Sequence, residues 1–267
     1  MWIKKALGYL ILSPLILITL LSADSSISNK SQVDIKAKLI NMAGKQRMSS
    51  QRIAKNYFYI ANGINRLKAR EQLNKSLVDF ELTQKMLDTA IKDKDIKNLI
   101  SFVNMSLDEF QSIIRDKYSK DNAIIVLDLS ESMLEGSDYV VKALSEGVNS
   151  NHIVDIAGKE RMLSQRIAKY YIAYQNGIKD DNTIFQMKDS VKEFDTILKE
   201  LISNRSNTKE IQKELESVDV MWRVVNKFYL NIKKGGLPKI VYSTTDKITD
   251  KMDKIVGLYV QTLMEEK

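Results

Sequence analysis

AGKQRMSSQRIAKNY, from Ala43 to Tyr57, returns as AGKERMLSQRIAKYY from Ala157 to Tyr171, at a constant offset of 114 residues. Twelve of the fifteen positions are identical, so the chain carries a duplicated unit. The offset persists outside the block: Asn62-Gly63-Ile64 recurs as Asn176-Gly177-Ile178, and Phe80 recurs as Phe194. Beyond that point the register slips by one residue, with Val126 opposite Val241 and Val140-Val141 opposite Ile255-Val256. Each copy is therefore a whole domain, of a size usual for one compact unit.

Around the first block, Ile35, Leu39, Met42, Ile53, Tyr57, Ile60 and Ile64 fit one apolar helical face. The spacing predicts a helix from Gln32 to Ala61 that ends at Asn62-Gly63, where glycine can take the left-handed cap conformation. Three more amphipathic runs follow, one through Leu73, Phe80 and Ile91, one from Ile96 to Ile114, and one from Asn122 to Leu144. In the second copy Gly177, Asn204 to Thr208, and Gly235-Gly236-Leu237-Pro238 separate the corresponding runs. Short polar loops between long amphipathic helices predict an all-α chain of two tandem up-down four-helix bundles. Residues 24–150 form the first and 151–267 the second. Since Ser145 to Asn151 holds no breaker except Gly147, a continuous helix is expected to join them.

Composition narrows the class. Hydrophobic residues make up 44% of the 267-residue chain, enough for a packed core. There is no cysteine, which excludes disulfide staples, thiolate catalysis, cysteine zinc sites and a lipidated N-terminal cysteine. Lys4 and Lys5 precede an apolar run from Ala6 to Leu21, and Ser22-Ala23 leads into polar Asp24-Ser25-Ser26. Residues 1–23 thus read as a secretory signal peptide, or as an uncleaved anchor if the cut does not occur. Either way the rest is expected in the periplasm or another extracytoplasmic space, without a second spanning segment or a cytoplasmic output domain. The net charge of +7 is spread among acidic residues along the helices, a pattern that argues against nucleic acid as a partner.

The motif supplies the candidate site. At 100° per residue, Gly44, Arg47 and Gln51 share one face within about 60°, whereas Arg52 lies about 140° away from Arg47. The same holds for Gly158, Arg161, Gln165 and Arg166, and Ser50 and Ser164 flank the two glutamines. Small residues surround each arginine, so another helix can approach closely there. If the two motif helices met, within one chain or across a homodimer, guanidinium groups about 7 Å apart would repel by on the order of 2 kcal/mol. A small planar anion between them would reverse that sign by accepting forked hydrogen bonds. A carboxylate from a neighbouring helix would serve each arginine equally well.

The string AG-x-x-RM-x-SQR-x-AK resembles the signature of the PilJ-type N-terminal domain of type IV pili chemotaxis transducers. That domain is similar to the periplasmic nitrate-sensor domain of the NarX and NarQ kinases. The resemblance implies an extracytoplasmic four-helix sensor that signals to a membrane histidine kinase or a methyl-accepting chemoreceptor. It also implies that the arginine before the motif methionine, here Arg47 and Arg161, binds nitrate or nitrite at a dimer interface, with Gly44 and Gly158 allowing the close approach. In the nitrate sensors another residue stands where this chain has Gln51 and Gln165, as the pilus branch does.

Other features carry less chemistry. His152, the only histidine, faces Lys38 in the repeat and reads as a solvated linker residue, not a metal ligand or general base. The aromatics at Tyr57-Phe58-Tyr59, Tyr170-Tyr171 and Tyr174 have core spacing. No Ser-His-Asp set, phosphate loop or metal cluster is present, so neither an enzyme nor a cofactor is expected. Two functions fit: a sensor of a small oxyanion through Arg47 and Arg161, or a helical docking module for a chemoreceptor or pilus component.

Overall fold

The computed structural model describes the backbone of residues 14–146 and 152–265. Over these residues the chain folds into eight α-helices: α1 Pro14–Asn62, α2 Arg66–Ala90, α3 Lys94–Ile113, α4 Lys120–Ser145, α5 His152–Gln175, α6 Asp181–Ser203, α7 Lys209–Leu230 and α8 Pro238–Glu265. No strand occurs among the described residues, in agreement with the all-α expectation. The segment read as a signal or anchor overlaps the start of α1, and its residues 1–13 lie outside the described residues. Among the described residues, no helix is long and apolar enough to cross a membrane.

Local chemistry sets the helix ends. Gly63 and Gly177 follow the motif helices at φ +79° and +98°, the left-handed conformation that glycine adopts without steric cost. Side chains of Asp93, Ser119, Asp180 and Thr208 accept backbone N–H bonds at the starts of α3, α4, α6 and α7. Each such cap satisfies donors that the first turn leaves without intrahelical partners.

Each copy forms an up-down bundle, α1 to α4 and α5 to α8. The two bundles lie side by side, with α1 and α5 packed along their length. The helices run parallel, since Gly44 and Gly158 lie at one level, and Asn62 Nδ2 donates to Asn176 Oδ1 at 2.7 Å at another. The repeat offset of 114 therefore doubles as a spatial relation along the seam: Gly44 and Arg47 face Gly158 and Arg161, and Asn62 meets Asn176, as across a pseudo-two-fold axis.

This arrangement corrects the expected continuous helix. α4 runs antiparallel to α1, as the Arg47–Asp138 and Gln51–Ser130 contacts require, so a straight continuation would carry the second copy away from the first. Instead α4 ends at Ser145, and Glu146 is extended at ψ 132°. Gly147, the one breaker in that stretch, lies outside the described residues. The gain in burial explains the preference. α1 and α5 are the central helices, and α5 is buried almost continuously from Ile156 to Tyr174. An end-to-end arrangement would leave that apolar seam in water, at about 25 cal/mol per Å².

Candidate functional site

The motif residues are carried on α1 and α5, where the seam brings the two copies together. Arg47 and Arg161 are 2% and 0% exposed. Their Nη2 atoms converge over the glycines: a Cβ on Gly44 would stand 3.2 Å from Arg161 Nη2 and 3.6 Å from Arg47 Nη2. A Cβ on Gly158 would stand 3.4 Å from Arg47 Nη2 and 3.8 Å from Arg161 Nη2. The two arginines thus meet within one chain. Glycine at both positions leaves the room that the guanidinium of the opposite helix occupies.

Protein carboxylates neutralise the pair. Arg47 Nη1 donates to Asp138 Oδ1 at 2.9 Å, and its Nη2 donates to Asp155 Oδ1 at 2.7 Å and to the Asp155 carbonyl at 3.3 Å. Arg161 Nη1 donates to Asp253 and, at 3.2 Å, to Asn41 Oδ1; its Nη2 reaches the Asn41 carbonyl at 3.4 Å. Asp138 on α4 and Asp253 on α8 are repeat partners under the slipped register, as Asp155 and Asn41 are under the strict one. The pseudo-symmetry fails at that last pair, where one arginine meets a carboxylate and the other an amide. Both Nε atoms are buried without a partner. Burial pushes the Arg161 pKa down, opposed by Asp253 and reinforced by Arg47. Asp253 is in turn held below the usual carboxylate range: burial opposes this, but Arg161 and then Lys45 outweigh it.

A match to a family model accompanies this geometry. The model described as the type IV pili methyl-accepting chemotaxis transducer N-terminal domain, PilJ, matches residues 29–97 and 143–251. The chain belongs to the PilJ family. The matched stretches contain both copies of the motif, so the PilJ pattern occurs twice. PilJ is a family of chemotaxis-transducer domains, which relates the chain to sensory signalling and not to catalysis. Searches among curated proteins and among solved structures found no match.

The other motif residues of this PilJ pair point away from the arginine seam. Ser50 and Ser164 Oγ donate back to the Arg47 and Arg161 carbonyls at 2.8 and 2.9 Å. Gln51 Nε2 donates to the Ser130 carbonyl on α4 at 2.9 Å, and Gln165 Nε2 to Thr249 Oγ1 on α8 at 2.6 Å. Arg166 forks onto Glu131 from Nε and Nη2, whereas Arg52 reaches only as far as Asp250, at 3.9 Å. His152 is exposed on α5, with Glu200 Oε1 3.5 Å away.

A second tier of charge escaped sequence reasoning. Lys55 and Lys169, the last lysines of each motif, are fully buried. Lys55 pairs with Asp246 on α8 at 2.6 Å, and Lys169 pairs with Glu131 on α4. Each pair crosses from one bundle to the other, so the copies are stitched reciprocally. Burial lowers both lysine pKa values to about 8, although the partner carboxylates pull the other way. Lysine at the same place in both quoted strings was the available signal, obscured because lysine on a helix is usually solvated.

Proposed function

We propose that this chain is an extracytoplasmic sensory module that reports to a membrane chemoreceptor or histidine kinase, and that the Arg47–Arg161 seam responds to a small oxyanion of the nitrate or nitrite kind. The observation that carries this reading is the convergence of two buried arginines over Gly44 and Gly158. Planar forked donors facing each other suit a planar oxyanion. PilJ membership supports the sensory role. The positive, apolar N-terminal segment supports export.

In this reading Asp155 acts as an internal stand-in for the ligand. Its carboxylate takes the place on Arg47 that an oxyanion would take, while Asn41 leaves the opposite place uncharged. Binding then means exchange: the anion displaces Asp155, and α5 shifts relative to α1. A ligand moves such an equilibrium only by its differential affinity for the two states. The reciprocal Lys55–Asp246 and Lys169–Glu131 pairs would pass that shift to α8 and α4.

One observation favours a docking module instead. Every terminal nitrogen of Arg47 and Arg161 already has a protein acceptor, which leaves only the two Nε atoms without a partner. Thermal unfolding of the full chain and of Asp155→Asn against nitrate, nitrite, sulfate, phosphate and chloride separates the two. The sensor reading expects one anion to stabilise the chain, and to do so more strongly in Asp155→Asn. At 100 times its dissociation constant it should add about 2.7 kcal/mol. No shift in either protein rejects the anion and leaves the docking module.

A further inference from the structure

The two bundles differ at the end marked by Gly63 and Gly177. In the second, α5, α6 and α7 close on an aromatic cluster: Tyr171 packs edge-on against Tyr229 at 5.7 Å between ring centroids, and Trp222 lies 4.1 Å from Phe194. In the first, Phe80 keeps the place of Phe194 and Tyr57 that of Tyr171. Under the slipped register, however, Leu107 and Ile114 stand where the second copy has Trp222 and Tyr229. A cavity of about 930 Å³ opens beside Tyr57 and Ile114, between α1, α2 and the end of α3.

Its lining is amphipathic. Tyr57, Leu73, Leu77, Ile114 and Tyr118 supply apolar surface. The hydroxyls of Tyr57 and Tyr118 are buried in this wall without a hydrogen-bond partner, although Tyr57 is only 7% exposed. Arg66, Arg70, Arg115 and Lys117 also line the cavity, against Glu81 and Asp116. None of these four cations is ion-paired with a described residue. Glu81 is engaged with Gln111 at 2.5 Å. The surplus charge facing the space is positive.

We infer that this cavity is a binding site for a small organic anion with an apolar body, of the aromatic or medium-chain carboxylate class. The volume lies in the range of sites that enclose such molecules, which are mostly apolar with a few polar groups fixing orientation. The carboxylate is held by the unpaired arginines, and the tyrosines line the apolar body and supply donors. The site is distinct from the arginine seam, which is polar, closed and on the shared face of α1 and α5. It lies beside Asn62, whose amide bonds to Asn176 of the other bundle, so an occupant abuts a contact that joins the two copies.

The test uses the full chain, titrated calorimetrically with benzoate, indole-3-acetate and octanoate and with the neutral amide of each. Two variants accompany it: Ile114→Tyr, which installs the residue that fills the second bundle, and Arg115→Gln. Circular dichroism and melting confirm that both remain folded. The expected result is one-to-one binding of at least one carboxylate, at least tenfold weaker for its amide and in Arg115→Gln, and abolished in folded Ile114→Tyr. Absence of binding by all three carboxylates, equal binding of the amides, or undiminished binding in Ile114→Tyr overturns the inference.

Discussion

Replacing Glu160 by glutamine is expected to stabilise the protein at neutral pH. Glu160 is fully buried on α5, and neither carboxylate oxygen has a hydrogen-bond partner. Burial raises its pKa well above the usual carboxylate value, Glu193 and Asp195 add to the rise, and Lys159 opposes it weakly. Lys159 is itself engaged with Glu193 at 2.5 Å. The first copy shows the alternative, since Gln46 holds the matching place and donates from Nε2 to the Phe80 carbonyl at 2.9 Å. The sign follows from linkage. Above the unfolded pKa of about 4.3 the folded chain retains a proton that the unfolded chain releases, so stability falls as pH rises from there through the raised folded pKa. Glutamine removes that slope. It offers a donor as the protonated carboxyl does, so the gain comes from the lost slope, about 1.4 kcal/mol for each pH unit between the unfolded and folded pKa. For a chain of this size each kcal/mol corresponds to about 2–4 °C in melting temperature. The assay is thermal unfolding of both proteins from pH 4 to 8. The gain should be largest at pH 8 and shrink toward pH 4, where Glu160 of the unfolded chain is mostly protonated as well. A variant no more stable than the parent at pH 8, or a difference independent of pH, would refute the reasoning by showing that Glu160 is ionised and paired.

Three glycines rank by the room beneath them. A Cβ on Gly136 would fall 2.5 Å from Val103 Cγ2, one on Gly44 3.2 Å from Arg161 Nη2, and one on Gly158 no closer than 3.4 Å to any neighbour. Alanine gains about 1 kcal/mol in helix propensity, and overpacking costs about 1–3 kcal/mol. Chemical denaturation should therefore find Gly136→Ala the most destabilised, Gly44→Ala intermediate, and Gly158→Ala neutral or stabilised. The buried lysines offer a pH test. The folded pKa values of Lys55 and Lys169 are near 8. Between about pH 8 and the unfolded pKa of about 10.4 the unfolded chain binds more protons, so these groups favour folding increasingly as pH rises. Nitrogen-15 NMR of the side-chain ammonium groups should find two lysines titrating near pH 8, ahead of the rest; midpoints above 10 for both would contradict the burial.

Much of the fold was legible because its signals are local. Glycine after each motif helix and the apolar periodicity each act within a few residues. The shared face of Gly44 and Arg47 followed from helical geometry alone. The relation between the bundles was not legible, because α1 against α5 is a contact between distant parts of the chain, and the local absence of a breaker near Gly147 suggested the opposite. The partners of the arginines were obscured differently. Asp138 and Asp253 become equivalent only after the one-residue slip, and both fall on helices otherwise rich in solvated charge. Glu160 and the motif lysines carry charge at positions that tertiary packing buries, where helix-surface reasoning takes them for exposed.

The central claim is that the two copies pack side by side within one chain, so that Arg47 meets Arg161 and Asn62 meets Asn176. The absence of cysteine allows a direct measurement, in which Asn62→Cys and Asn176→Cys are introduced together and treated with a short bismaleimide at low protein concentration. The expected product is a monomer cross-linked internally, seen by mass spectrometry as one peptide joining the two sites. Cross-links formed only between chains, or none while both thiols remain reactive, would contradict the arrangement and with it the meeting of Arg47 and Arg161.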